Sequence, residues 1–218
     1  IGLSFAVSMI MGPVLNSWIG VSGIFWLTGL CALLSIAVVW FRVPNPALSR
    51  VHRDAEPVAS QFGQVLADIQ LLRLNFGIFI LHLLLTATFV AMPLALRDAG
   101  LPSDRHWEVY LPALLLSMAA IIPFIILAEK HHWLKSVFLG AILTLALTEF
   151  GLLTLHEHVL EMSVLLLTFF TGFNLLEATL PSLIAKMAPP DAKGTAMGVY
   201  SSSQFLGAFA GGTLGGWL

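Results

Sequence analysis

Glu177, Asn174, His82 and Glu149 each interrupt a long apolar run in this 218-residue sequence. A carboxyl group deep in an apolar medium has to be protonated, paired or hydrated, because a bare buried charge is too costly to hold. Glu177 lies near the middle of its run, with Asn174 three residues earlier on the same side of a helix. The amide hydrogen-bonds either protonation state of the carboxyl group, which suits the pair to holding and releasing a proton. The static alternative is a protonated glutamic acid that only donates a hydrogen bond between helices. His82 has Thr86 one helical turn later. Its imidazole is either a protonation switch, since histidine titrates near neutral pH, or a neutral ring bonded to a neighbouring helix. Glu149 sits toward one end of its run, where a long side chain reaches interfacial water, and is a further proton-coupling candidate.

Other chemistry is poorly supported. His156-Glu157-His158 with Glu161, and His131-His132, lack the i, i+4 histidine pair of a helical zinc site, so no metal and no other cofactor is expected. The single cysteine, Cys31, permits no intramolecular disulfide and has no activating base beside it. Phosphate loops, nucleophile elbows and paired metal-binding cysteines are missing from the sequence, which does not read as an enzyme. Phe79, Phe89, Phe124, Phe169, Phe170 and Phe173 supply aromatic surface, for lipid-facing packing or for an apolar cavity.

The elements that must position these residues are membrane helices. Hydrophobic residues make up 58% of the chain and charged ones 10%, against about 25% charged in a soluble domain. A net charge of −2 offers no face for nucleic acid. Crossing a hydrocarbon layer of about 30 Å takes about 20 apolar helical residues. Seven runs meet this: about 1–19, 23–42, 73–96, 108–128, 134–155, 162–186 and 195–218. The charged residues and histidines cluster between the runs; His82, Glu149 and Glu177 are the ones well inside. The fold class is therefore all-α, a polytopic transmembrane bundle in the lipid bilayer. Arg42, Arg50, Arg53, Arg73, Lys130, Lys135, Lys186 and Lys193 fall on alternate connections, leaving Arg97 and Arg105 on the others. The basic side is expected to be cytoplasmic. The connection 43–72 carries Pro44, Pro46 and Pro57, the charged stretch Arg50-Val51-His52-Arg53-Asp54, and then Phe62, Val65, Leu66, Ile69 and Leu72 at helical spacing. The latter stretch is either a short amphipathic helix on the cytoplasmic face or the start of the next membrane helix.

Glycines mark two places. Gly207, Gly211 and Gly215 form a four-residue series in the last run, with Gly212 and Gly216 beside it. Such spacing lets two helices approach closely, for static packing or for a sliding surface. Gly12-Pro13 in the first run combines a missing backbone donor with a small residue, which makes either a conformational joint or a packing kink.

Several local sequences resemble one family. Met11-Gly12-Pro13-Val14-Leu15-Asn16 is similar to the helix-five Gly-Pro motif of major facilitator antiporters, with Asn16 and Ser17 where paired small residues are usual. Pro189-Pro190-Asp191-Ala192-Lys193-Gly194-Thr195-Ala196-Met197-Gly198 resembles that family's loop into helix eleven. Leu71-Leu72-Arg73-Leu74-Asn75-Phe76-Gly77 and Phe173-Asn174-Leu175-Leu176-Glu177-Ala178 resemble its proton-linked drug-efflux subfamily. The resemblance implies helices five to eleven of a twelve-helix major facilitator transporter. Residues 1–42 would be the last two helices of an N-terminal bundle, 43–72 the cytoplasmic connection, and 73–218 five of the six helices of the C-terminal bundle. Both ends then fall inside membrane helices, the missing N-terminal helices are a partner, and the fragment alone is expected to be inactive. It also implies a bacterial inner-membrane secondary transporter that exchanges protons for a small apolar or amphipathic molecule by alternating access between two bundles. In that reading Glu177, Asn174, His82 and Glu149 are proton-coupling residues, and Gly12, Pro13, Gly194, Gly198, Gly207, Gly211 and Gly215 form conformational or packing motifs. The alternative class is a non-transporting membrane sensor or scaffold whose polar residues only hold helices together.

Overall fold

A computed structural model describes residues 2–44 and 58–217, with backbone alone for 2–6, 9, 10 and 13. The charged stretch 50–54, and Pro46 and Pro57, lie outside the described residues. The described residues are helical almost throughout: α1 Gly2–Arg42, α2 Phe62–Ala67, α3 Ile69–Asp98, α4 Trp107–Lys130, α5 Leu134–Thr154, α6 Val159–Met187 and α7 Lys193–Trp217. The chain divides into two compact units, Ile1–Val51 and His52–Leu218.

The first unit is α1. The two runs expected at 1–19 and 23–42 are joined in one segment, and the break between them is Gly20, with φ 68° and ψ 174°. Only glycine visits that region readily, so the helix axis is interrupted there while hydrogen bonding resumes on both sides. Gly12 and Pro13 lie within the helical stretch before it, and a Cβ added to Gly12 would meet no atom within 4 Å.

In the second unit, the apolar stretch 62–72 combines parts of the two expected courses, a short helix followed by the start of the next long helix. Asp68 adopts an extended backbone (φ −77°, ψ 108°) that ends α2 after six residues. Its Oδ1 accepts from Gln70 N at 2.8 Å and Leu71 N at 3.3 Å, capping the next helix. Membrane helix α3 therefore begins at Ile69, four residues before the expected 73. Of the five apolar side chains at helical spacing, Val65 is buried, while Phe62, Leu66, Ile69 and Leu72 stay exposed.

Among the described residues, five helices are long and apolar enough to cross a membrane: Val14–Arg42, Ile69–Asp98, Ser103–Lys130, Leu134–Thr154 and Val159–Met187. The 25-residue α7 is long enough but diluted by serines, Gln204 and glycines. Helix α6 is the hub of the second unit, packing against α3, α4, α5 and α7. Its buried stripe runs Met162, Leu166, Phe169, Phe173, Leu176, Leu180 and Ile184, at steps of three and four that keep one side of a helix turned inward, with Phe170 beside it. Large apolar side chains such as Phe150, Leu153, Leu160, Phe205 and Phe209 point outward, an arrangement suited to lipid and not to water. Where lipid is as apolar as leucine, helices associate through close packing and interhelical hydrogen bonds. The most extensive packing is between α3 and α7, and hydrogen bonds join α7 to α3 and α6, α6 to α4 and α5, and α3 to α5.

Candidate functional site

The glycine series sets the distance between α3 and α7. A Cβ on Gly207 would overlap the Phe79 carbonyl, and one on Gly211 would overlap the Leu83 carbonyl and Thr86 Oγ1. On Gly215 it would come within 3.0 Å of Ala87 Cα. Three glycines on one side of α7 thus bring two parallel backbones into contact. Gly198, Gly212 and Gly216 face open space, with nothing within 4 Å of an added Cβ, so the second series takes no part. Thr86 Oγ1 lies 2.9 Å from both the His82 and the Ala208 carbonyls, so its hydroxyl serves backbone across the seam and not the imidazole.

This close seam sets His82 of α3 against α7 and α6. The Gln204 amide nitrogen lies 2.8 Å from His82 Nε2 and 3.4 Å from Glu177 Oε1, joining three helices through one side chain. Glu177 Oε2 stands 3.8 Å from His82 Nε2, which is ion-pair range but too long for a hydrogen bond. That oxygen is buried and has no hydrogen-bond partner among the described residues. Phe173, one turn before Glu177, covers the imidazole with ring centroids 5.6 Å apart. The Tyr200 hydroxyl, one turn before Gln204, is also buried and has no hydrogen-bond partner among the described residues. Two titratable groups, a bridging amide and unsatisfied polar atoms therefore meet in the middle of the bundle.

The other expected residues lie apart. Asn174 does not serve Glu177: its Nδ2 donates to Ser117 Oγ on α4 at 3.0 Å, and Ser117 is fully buried. Three residues of helix rotate a side chain by about 300°, enough to aim Asn174 at α4 while Glu177 faces α7. Glu149 accepts from Thr88 Oγ1 of α3 at 3.1 Å, so it is tied to a neighbouring helix and not simply solvated. It lines a cavity of about 230 Å³ together with Met92 and His156. His156, Glu157, His158, His131 and His132 are exposed in connections. Phe169, Phe170 and Phe173 are core, whereas Phe124 lines a cavity of about 250 Å³.

The start of α7 carries a second built feature. Thr195, fully buried, accepts from the Val58 backbone N–H at 2.8 Å and faces Gln61 Oε1 at 3.2 Å, while Gln61 Nε2 donates to the Asp191 carbonyl at 3.0 Å. The segment 58–61 is thereby clasped to the loop into α7. Thr195→Val keeps the shape but leaves the Val58 N–H unpaired, which is expected to cost about 1–3 kcal/mol. A fall in the melting temperature of the detergent-solubilised protein, together with faster proteolysis near residue 58, would report it. An unchanged melt would mean that water replaces the hydroxyl.

The comparisons with known proteins agree with this architecture. The sequence pattern of the Major Facilitator Superfamily matches residues 1–212. The chain belongs to that superfamily. It is similar to the inner membrane transport protein YajR of Escherichia coli strain K12, with 43% identity over 217 residues, covering 100% of this chain and 48% of YajR. The uncharacterized transporter BU466 of Buchnera aphidicola is 30% identical over 217 residues, covering 97% of this chain and 55% of that protein. The multidrug resistance protein MdtH of Aeromonas hydrophila is 27% identical over 221 residues, covering 96% and 52%. The chain spans about half the length of the curated relatives it matches. As a major facilitator chain with five helices, among the described residues, long and apolar enough to cross a membrane, it is a multi-pass integral membrane protein.

Within this major facilitator bundle, sequence reasoning found His82, Glu177, Asn174 and Glu149 but not Gln204, Ser117 and Thr88, which hold them to neighbouring helices, nor Thr195, which clasps the segment at Val58. Gln204, Ser117, Thr88 and Thr195 are uncharged and sit in helices where a single hydroxyl or amide is unremarkable. Gln204 alone left a trace, as the one carboxamide in α7.

Proposed function

We propose that the full-length protein is a secondary active transporter of the bacterial inner membrane, and that it exports small apolar or amphipathic compounds in exchange for protons. The observation that carries this reading is the His82–Gln204–Glu177 cluster. A carboxylate oxygen buried in mid-helix without a hydrogen-bond partner is costly as mere packing, where buried polar atoms are normally satisfied. It is useful to a group that must load and release a proton as access to water alternates. The similarity to YajR, a transport protein, supports transport, and that to MdtH, a multidrug resistance protein, supports export of such compounds. In this reading residues 1–42 close an N-terminal bundle whose other helices are the chain's partner, 43–72 connect the bundles, and 73–218 build most of the second.

Orientation is part of the proposal. The basic connections put Ser136 on the cytoplasmic side and Ser103 outside. Cysteines placed there should react with impermeant reagents from the inside and from the outside respectively, and labelling of Ser103→Cys from the cytoplasm alone would contradict the topology. The functional test uses the full-length protein in liposomes carrying an imposed pH gradient, screened against lipophilic compounds. Gradient-driven movement of at least one compound is expected. A folded protein that moves none, and passes no protons when they are added, fits the scaffold reading, which the Asn174–Ser117 packing contact favours locally.

A further inference from the structure

We infer that Gln204 is a positioning residue that makes the protonation of His82 and of Glu177 concerted, and this rests on the proton-carrying role proposed for the cluster. The argument begins with the distances. The distance between His82 Nε2 and Glu177 Oε2 is long, 3.8 Å, where a charge-assisted N–H···O bond spans about 2.7–2.9 Å. The short contacts both belong to Gln204, whose one terminal amide position lies against the imidazole at 2.8 Å and the carboxylate at 3.4 Å. That single position must satisfy two neighbours at once.

A primary amide has an NH2 end and a carbonyl end of nearly the same size, and a half-turn about its last bond exchanges donor for acceptor in place. With NH2 toward the cluster, as found, the amide donates to a neutral His82 Nε2 and to an ionised Glu177. With the carbonyl there, it accepts from a protonated Nε2–H and from a carboxylic acid O–H. The mixed state, imidazolium beside carboxylate, suits neither orientation, because one of the two contacts is always donor to donor or acceptor to acceptor. Loading a proton from water onto His82 Nε2, or onto Oε1 of Glu177, the oxygen that faces the amide, turns the amide, and the turned amide favours a proton on the other of these two atoms. Release to water reverses both steps, so the proton count balances at each stage.

The surroundings leave this coupling undisturbed. The titratable groups facing Gln204 are His82 from α3, Glu177 from α6 and, on α7 itself, Tyr200, whose hydroxyl has no hydrogen-bond partner among the described residues and lies within Coulombic reach of Glu177. Helix α4 offers Ser117, which is not titratable and is engaged by Asn174. The ion-pair contact of the cluster, among the described residues, is His82 with Glu177.

Infrared titration of the full-length protein in detergent tests the inference. The Glu177 carboxyl C=O band is identified as the band lost in Glu177→Gln. In the wild type its titration should be steeper than that of one independent site. Gln204→Met keeps length and volume but neither donates nor accepts as an amide does; its curve should relax to single-site steepness or shallower, with the midpoint displaced by about one pH unit. Gln204→Asn, too short to reach both neighbours, should lie between the two. His82→Phe removes the coupled partner and should also bring the Glu177 curve to single-site steepness, which decides the matter even if Gln204→Met does not fold. A wild-type curve no steeper than one site, or a His82→Phe or Gln204→Met curve superimposable on wild type, overturns the inference. Glu177→Gln protein that transports with unchanged pH dependence overturns the proton-carrying role beneath it. Loss of transport in Glu177→Gln with an unaltered Gln204→Met titration overturns the coupling alone.

Discussion

Gly211→Ala is expected to destabilise the protein by about 3 kcal/mol, at the upper end of what overpacking costs. The new methyl group would overlap the Leu83 carbonyl and Thr86 Oγ1. Neither can yield cheaply, since the carbonyl belongs to a helical backbone and Thr86 bonds across the same seam to Ala208. The two helices would have to separate, and His82 would be carried away from Gln204. Gly212→Ala is the matched control. Its Cβ meets nothing within 4 Å, so it should be neutral, or stabilising by about 0.5–1 kcal/mol through the better helix propensity of alanine. Thermal unfolding of both variants in detergent separates the cases, and equal effects at the two neighbouring positions would contradict the close α3–α7 contact.

That pair of glycines also shows what could be read in advance and what could not. Spacing alone marks both the Gly207, Gly211, Gly215 series and the Gly212, Gly216 series as seams, yet only the first meets another helix. Membrane spans were legible because the hydrocarbon layer imposes a minimum apolar length that few other structures need. Their ends were less so: Asp68 starts α3 early by capping it, a local hydrogen bond that periodicity does not register. His82 and Glu177 announced themselves as ionisable groups in apolar runs. Their connection was illegible, because Gln204 lies 27 residues from Glu177 and 122 from His82 and only the packing of three helices brings them together. The expected Asn174–Glu177 pairing failed for a related reason. A shared side of a helix spans a wide arc, and α4 and α7 claim different parts of it.

Glu177→Gln is expected to abolish proton-coupled transport while leaving folding and expression intact. Glutamine has nearly the volume of glutamic acid and resembles its protonated form, so it keeps contact with Gln204 and His82 but cannot lose a proton. A cycle that requires loading on one side and release on the other then stalls, while substrate binding or substrate exchange can persist. Glu177→Asp remains ionisable but is one methylene shorter than a contact already 3.4 Å long, and should keep part of the activity. If the carboxyl group only packs, glutamine satisfies the same neighbours and transport continues. The deciding measurement is proton movement into liposomes containing the full-length protein, followed with an internal pH dye as a transported compound is added. Substrate-dependent proton flux in the wild type that falls to the level of empty liposomes in well-folded Glu177→Gln is the predicted result; flux of wild-type size and pH dependence in that variant would contradict it.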